Sequence, residues 1–195
     1  MLLWQSLEIA KGETMRFGIY VKKSINGVFW WIDKINKPLF RKTYLKYLKW
    51  LGVNIDAADY KNTGISPTIF LDSTDYSKIT IGKNVTISFD VVVLVHDYSI
   101  INAARAVDRL NETDGSIIKP VVIGNNVFVG AKVVLLPGTT IGDNCIIGAG
   151  AVVKGKLKEN SVYAGNPCRY ICSTEEYVNK HLRHQENIVE RKHGL

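Results

Sequence analysis

Apolar residues recur every six positions between Ile79 and Lys158, with one long interruption. Aliphatic side chains lead blocks at 81, 87 and 93, and again at 123, 129, 135, 141, 147 and 153. Small or β-branched residues often follow four places later, as at Val85, Val91, Val127, Val133, Thr139 and Ala151. A helix needs apolar residues every three to four positions. A period of six instead describes short strands joined by tight corners, with Gly82, Gly124, Gly130, Gly142 and Gly148 where backbones turn or approach closely. One such unit cannot bury its own apolar side, so successive turns must stack, and the pattern predicts an all-β solenoid. Ile69 keeps the phase while Asp75 breaks it, which marks an imperfect first coil.

Flanking segments follow helical spacing. From Pro38 to Leu51, Tyr44, Leu48 and Leu51 fall near one face and Lys42, Lys46 and Lys49 on another; Pro38 suits a first turn and Gly52 a terminus. This basic amphipathic helix either covers the open strand edges at one end of the solenoid or lies on a membrane surface. Ser173-Thr-Glu-Glu176 has the spacing of a capping box ahead of a short C-terminal helix. The division predicted is a basic, partly helical region over 1–60, a solenoid domain over 61–172 with an insertion at 97–120, and a helix and tail over 173–195.

The chain of 195 residues is 46% apolar, which argues against wholesale disorder. Cys145, Cys168 and Cys172 form no CxxC pair, so neither a disulfide framework nor a thiolate zinc site is suggested, and a reduced, cytoplasmic setting fits best. Charged residues interrupt residues 1–12 before a signal-peptide core forms, and Phe29-Trp30-Trp31-Ile32 is too short to span a bilayer. The net charge of +7 is concentrated: Arg16, Lys22, Lys23, Lys34, Lys37, Arg41, Lys42, Lys46 and Lys49 face only Asp33. Such a patch attracts phosphates or an anionic membrane, with peripheral attachment at its inner face as one outcome. No nucleic-acid motif accompanies it. His181, His184 and His193 lack the carboxylate that would complete a catalytic zinc pattern.

The histidine nearest the repeats is His96, in the last orderly block before the insertion. Insertions on one face of a solenoid are common binding sites, and imidazole accepts a proton near neutral pH. A neutral base works best with its other ring nitrogen held by an acceptor; Asp72, Asp90 and Asp97 are the candidates. Within the insertion, Tyr98, Asn102, Arg105 and Arg109 suit an anionic or hydroxyl-rich acceptor.

The blocks Ile81-Gly82, Ile123-Gly124, Val129-Gly130, Ile141-Gly142 and Ile147-Gly148, with His96 and the closing Val162-Tyr-Ala-Gly-Asn-Pro167, resemble the left-handed β-helix (hexapeptide-repeat) acyltransferase family, in its sugar and surface-polysaccharide O-acetyltransferase branch. The resemblance covers roughly residues 65–172. It implies a left-handed parallel β-helix, a homotrimer with sites between subunits, acetyl-CoA as cosubstrate and no required metal. It makes His96 the general base and Asp72 a contact of the acceptor or of that histidine. It places the pantetheine arm along Gly130, Ala131, Gly148 and Ala149, with Lys154 and Arg169 as cationic contacts. Acetylation of a sugar hydroxyl leads; amino-sugar N-acetylation, serine O-acetylation and a non-catalytic β-solenoid binding protein remain alternatives.

Overall fold

The computed structural model describes residues 28–72, 74–112 and 115–183. The sequence readings for residues 1–27, His184 and His193 lie outside the described residues. Short strands are dealt in turn to three parallel sheets, so that each circuit of three strands is one coil. The first sheet holds Asn54–Ile55, Ile79–Ile81, Val121–Ile123, Thr140–Ile141 and Lys156–Leu157. A second holds Gly64–Ile65, Thr86–Ile87, Phe128–Val129, Ile146–Ile147 and Ser161–Ala164, the third Phe70–Leu71, Val92–Val93, Val134–Leu135 and Val152–Val153.

Each block leader points inward, so Ile81, Ile87, Val93 and their counterparts 42 and 60 residues on stack into one buried column per sheet. The residue four places later fills a corner: Val85, Val127 and Cys145 are buried there, as are Val91, Val133 and Ala151. One corner carries a further device. Asn84, Asn126, Asn144 and Asn160 all take left-handed backbone angles, with φ between 54 and 57°. Asparagine tolerates that region better than other residues with a Cβ. Their side chains also hydrogen-bond in a ladder from Asn84 to Asn126, Asn144 and Asn160 at 2.8–2.9 Å.

The helix Lys37–Trp50 opens with Asn36 accepting from the Leu39 N–H and with proline in its first turn. It closes at Gly52, φ 105°, whose N–H bonds Lys49 O while the Val53 N–H bonds Leu48 O. That pair of bonds is the Schellman termination. Phe40, Tyr44, Leu45 and Leu48 are buried against the core, and the helix packs on Asn54–Ile55, at the open edge of the first coil. At the other end Ser161–Ala164 pairs with Arg169–Ser173 as an antiparallel hairpin, and Ser173 and Glu176 exchange the two bonds of a capping box ahead of the helix Thr174–Arg183.

The coils begin earlier than residue 61. Asn54–Ile55 pairs in parallel with Ile79–Ile81, so the first coil starts within the region the sequence assigns to the basic segment. The period hides it because the corner between Ile55 and Gly64 is widened by a 3₁₀ turn at Ala57–Asp59.

Candidate active site

His96 leaves the third sheet at the end of its second strand. His96–Asp97 pairs in antiparallel fashion with Ile117–Ile118, and the Lys119 N–H bonds Val95 O at 2.9 Å, so the insertion is tied to the solenoid by a two-stranded neck. Beyond the neck, Asp97 accepts from the Ser99 N–H at 2.8 Å and starts the helix Ser99–Ala106.

Asp72 occupies, one coil before, the corner position that Leu94, Leu136 and Lys154 occupy in later coils, as the repeated bonds Asp72 N–H to Val93 O, Leu94 N–H to Leu135 O and Leu136 N–H to Val153 O show. A carboxylate at that corner is buried and must be satisfied locally. Its Oδ2 accepts from the Val95 N–H at 2.9 Å and the His96 N–H at 3.1 Å, and its Oδ1 from the Thr74 N–H at 3.0 Å. The same Oδ2 bonds His96 Nδ1 directly. Thr74 Oγ1 lies 2.9 Å from that nitrogen.

Burial pushes the Asp72 carboxyl up, but the N–H groups of Val95 and Thr74, the Thr74 hydroxyl and the His96 ring outweigh it and leave it below the usual carboxylate range. A carboxylate that is ionised here accepts a proton-bearing Nδ1, which fixes the tautomer with the lone pair on Nε2. The imidazole side chain is 25% exposed, and Nδ1 is the ring nitrogen held against Asp72. Tyr98 stands edge-on to the ring, with centroids 4.7 Å apart.

The structure thus joins Asp72, His96 and Tyr98 from the sequence-derived candidates and adds Thr74. Its signal was the Asp-x-Thr spacing, in which the carboxylate closes a turn by accepting the backbone N–H two residues on. The Asp97 carboxylate is hydrogen-bonded to Ser99 and meets the His96 ring only through charge. Asp90 sits at a left-handed corner, φ 57°, where its N–H bonds Thr68. Asn102 and Arg105 share one helix and hydrogen-bond each other at 3.4 Å, whereas Arg109 is forked onto Glu112. Lys154, Asp97, Ile117, Lys119, Leu136 and Pro137 line a pocket of about 90 Å³ at the foot of the insertion.

For the proposed donor groove the small residues divide. A Cβ on Gly130 would lie 2.5 Å from Ala149 N, and one on Gly148 would lie 2.9 Å from the Ala164 Cβ. Both glycines stand where neighbouring coils approach closely, Gly130 buried and Gly148 half-buried. Ala149 is exposed and Ala131 half-buried. Arg169 is exposed in the terminal hairpin, with Nη1 3.2 Å from Cys168 O. Among the described residues, no three His, Cys, Asp or Glu side chains gather in a group able to hold a metal ion.

Replacing Asp72 with Asn is expected to destabilise the fold by about 1–3 kcal/mol, because one amide cannot accept from the Val95, His96 and Thr74 N–H groups without turning its own NH₂ toward a donor. The sign of the pH dependence follows from the lowered carboxyl. Its stabilisation is complete above the ordinary carboxylate range and is lost as pH falls through the depressed folded value. Acid unfolding of Asp72→Asn, followed by circular dichroism, should show a shallower loss of stability than the parent over that low-pH window. Identical acid slopes would detach Asp72 from the stability of this corner.

Residues 120–155 match the family model for the bacterial transferase hexapeptide (six repeats). Galactoside O-acetyltransferase of Escherichia coli K12 is 41% identical over 97 residues, which are 50% of this chain and 44% of that protein. The "Putative lipopolysaccharide biosynthesis O-acetyl transferase WbbJ" of the same organism is 34% identical over 128 residues, 62% of this chain and 65% of that protein. The match therefore spans less than two thirds of either relative. Among solved structures, galactoside acetyltransferase in complex with coenzyme A aligns over 74% of this chain and 86% of its own, with 25% identity and a TM-score of 0.45.

Proposed function

We propose that this chain, which carries the bacterial transferase hexapeptide repeat, moves an acetyl group from acetyl-CoA to a hydroxyl of a sugar or surface-polysaccharide precursor. The observation that carries the reading is the His96 imidazole, locked by Asp72 at the neck of a polar insertion. His96 Nε2 takes the proton of the acceptor hydroxyl as its oxygen attacks the thioester carbonyl carbon. Collapse of the tetrahedral intermediate breaks the C–S bond, and the imidazolium returns its proton to the departing thiolate. Backbone N–H groups at the coil corners serve the developing oxyanion. No acyl-enzyme is needed, because a thiolate is already a stable leaving group near neutral pH.

The coils wind left-handed in this reading, which rests on the resemblance. Three copies assemble through the third sheet, whose outward row Phe70, Val92, Val134 and Val152 is apolar and in register. Charge repulsion is absent along that row, and burying it against a neighbour removes apolar surface from water. The donor then lies between neighbours against Ala131 and Ala149, with Lys154 and Arg169 toward its phosphates. Tyr98, Asn102 and Arg105 face the acceptor, and the enzyme works in the cytoplasm.

Release of free thiol from acetyl-CoA, measured against free sugars, nucleotide sugars, amino sugars and serine, tests the reading. Turnover should require a hydroxyl-bearing sugar, in an assembly of three chains by solution mass. Turnover with serine but with no sugar would reverse it, and a fully active monomer would remove the shared donor site.

A further inference from the structure

Residues 28–35 form a helical segment just ahead of Lys37–Trp50, and it presents two apolar stripes. The first is buried: Phe29 lies 5.1 Å, ring to ring, from both Tyr44 and Tyr47, and Ile32 packs beside it against the core. The second, spaced i, i+3, i+7 as one helix face requires, is Val28, Trp31 and Ile35, which are 57%, 63% and 78% exposed. Leu39, at the start of the next helix, is 48% exposed. Trp50 stacks on Tyr47, at 6.1 Å, and so its exposed indole adjoins the Phe29 end of the segment. Isolated exposed apolar residues need no explanation, but a contiguous stripe containing tryptophan marks an interaction surface.

The charges around it select the partner. Lys34, Lys37, Lys42, Lys46 and Lys49 are all exposed on these two helical segments, with Asp33 as their single acidic residue. Lys34 Nζ lies 5.7 Å over the Trp30 ring, at the border of the stripe. Two copies of such a surface would repel each other. An anionic lipid surface satisfies both features at once, since indoles settle at the level of the headgroups, aliphatic side chains enter the acyl boundary and lysines reach back to the phosphates. Among the described residues no helix is long and apolar enough to cross a membrane, so attachment here lies in the plane of the interface.

We propose that the helical pair 28–50 is a docking surface for an anionic bilayer leaflet, with Trp31 and Ile35 inserting and the exposed lysines holding the headgroups. It stands apart from the acetyl-transfer reading, since none of these residues belongs to the His96 site. Its consequence for that reading is a lipid-borne acceptor presented at the surface where the enzyme rests.

The full chain should sediment with vesicles of phosphatidylcholine containing phosphatidylglycerol, bind phosphatidylcholine alone much less, and lose part of its binding as salt is raised. Trp31→Ser with Ile35→Ser should weaken partition to the mixed vesicles by about tenfold, with Tm, solution mass and turnover of a soluble acceptor unchanged. Lys34→Gln with Lys37→Gln should weaken it and flatten its salt dependence. Failure of the parent to bind anionic vesicles overturns the proposal, as does a serine variant that binds like the parent. A serine variant that changes solution mass overturns it too, because the stripe would then join protein to protein. Loss of soluble turnover in His96 variants with vesicle binding intact would leave this proposal standing whatever becomes of the acceptor assignment.

Discussion

His96→Ala and His96→Asn are both expected to slow acetyl transfer by about 10²–10⁴-fold, the usual loss when a general base is removed. Neither change should disturb the coil stack. The core column is built from Ile81, Ile87, Val93 and their counterparts, while the imidazole stands partly in solvent at the neck of the insertion. Asp72 also remains satisfied without the ring, because the N–H groups of Val95, residue 96 and Thr74 still reach its carboxylate. Asparagine is the more telling replacement, since it keeps a donor for Asp72 and loses only the proton-accepting Nε2. Raising the pH should restore part of the rate with an amine acceptor, which deprotonates in solution. It should restore little with a sugar hydroxyl, whose pKa lies far above the assay range. A correctly assembled His96→Asn that turns over its sugar acceptor near the parent rate at neutral pH would remove the base from the mechanism.

Periodicity alone made the solenoid legible, because the block leaders from Ile81 to Val153 follow a rule of six. The first coil escaped it at Asn54–Ile55, where the corner lengthens and local turn chemistry replaces the repeat. The asparagine at the fourth place of several blocks was also present in the sequence, at 84, 126 and 144. Its meaning needs two facts that periodicity does not supply, the left-handed backbone angle and the vertical stacking of side chains from different coils. His96 could be singled out by its place at a break in the pattern. Its partner could not be chosen on sequence distance, since Asp97 is adjacent in the chain and Asp72 is one coil away. Stacking decides in favour of Asp72, because residues one coil apart are neighbours across a strand spacing of about 4.8 Å. The alternation of side chains along a strand turns Asp97 elsewhere.

Gly130→Ala is expected to destabilise the protein by about 3 kcal/mol, in the range of an overpacked interior. At this chain length that lowers Tm by about 6–12 °C. The added methyl would fall 2.5 Å from Ala149 N, 2.8 Å from Ala149 Cα and 2.9 Å from Ile147 O. All three are backbone atoms of the next coil, so no side chain can swing aside to make room. The Gly130 N–H also bonds Ile147 O at 2.8 Å, and pushing the coils apart would stretch that link in the second sheet. Gly150→Ala is the matched control. Its φ of +71° strains any side chain, but open space surrounds the position, so the cost should be about 1 kcal/mol and carry no packing component. If Gly130 instead served chiefly as a floor for the pantetheine arm, alanine there would raise the donor KM and leave Tm near the parent value. Thermal unfolding of the two variants beside donor kinetics separates the cases: an unchanged Tm for Gly130→Ala would return this glycine to the donor groove.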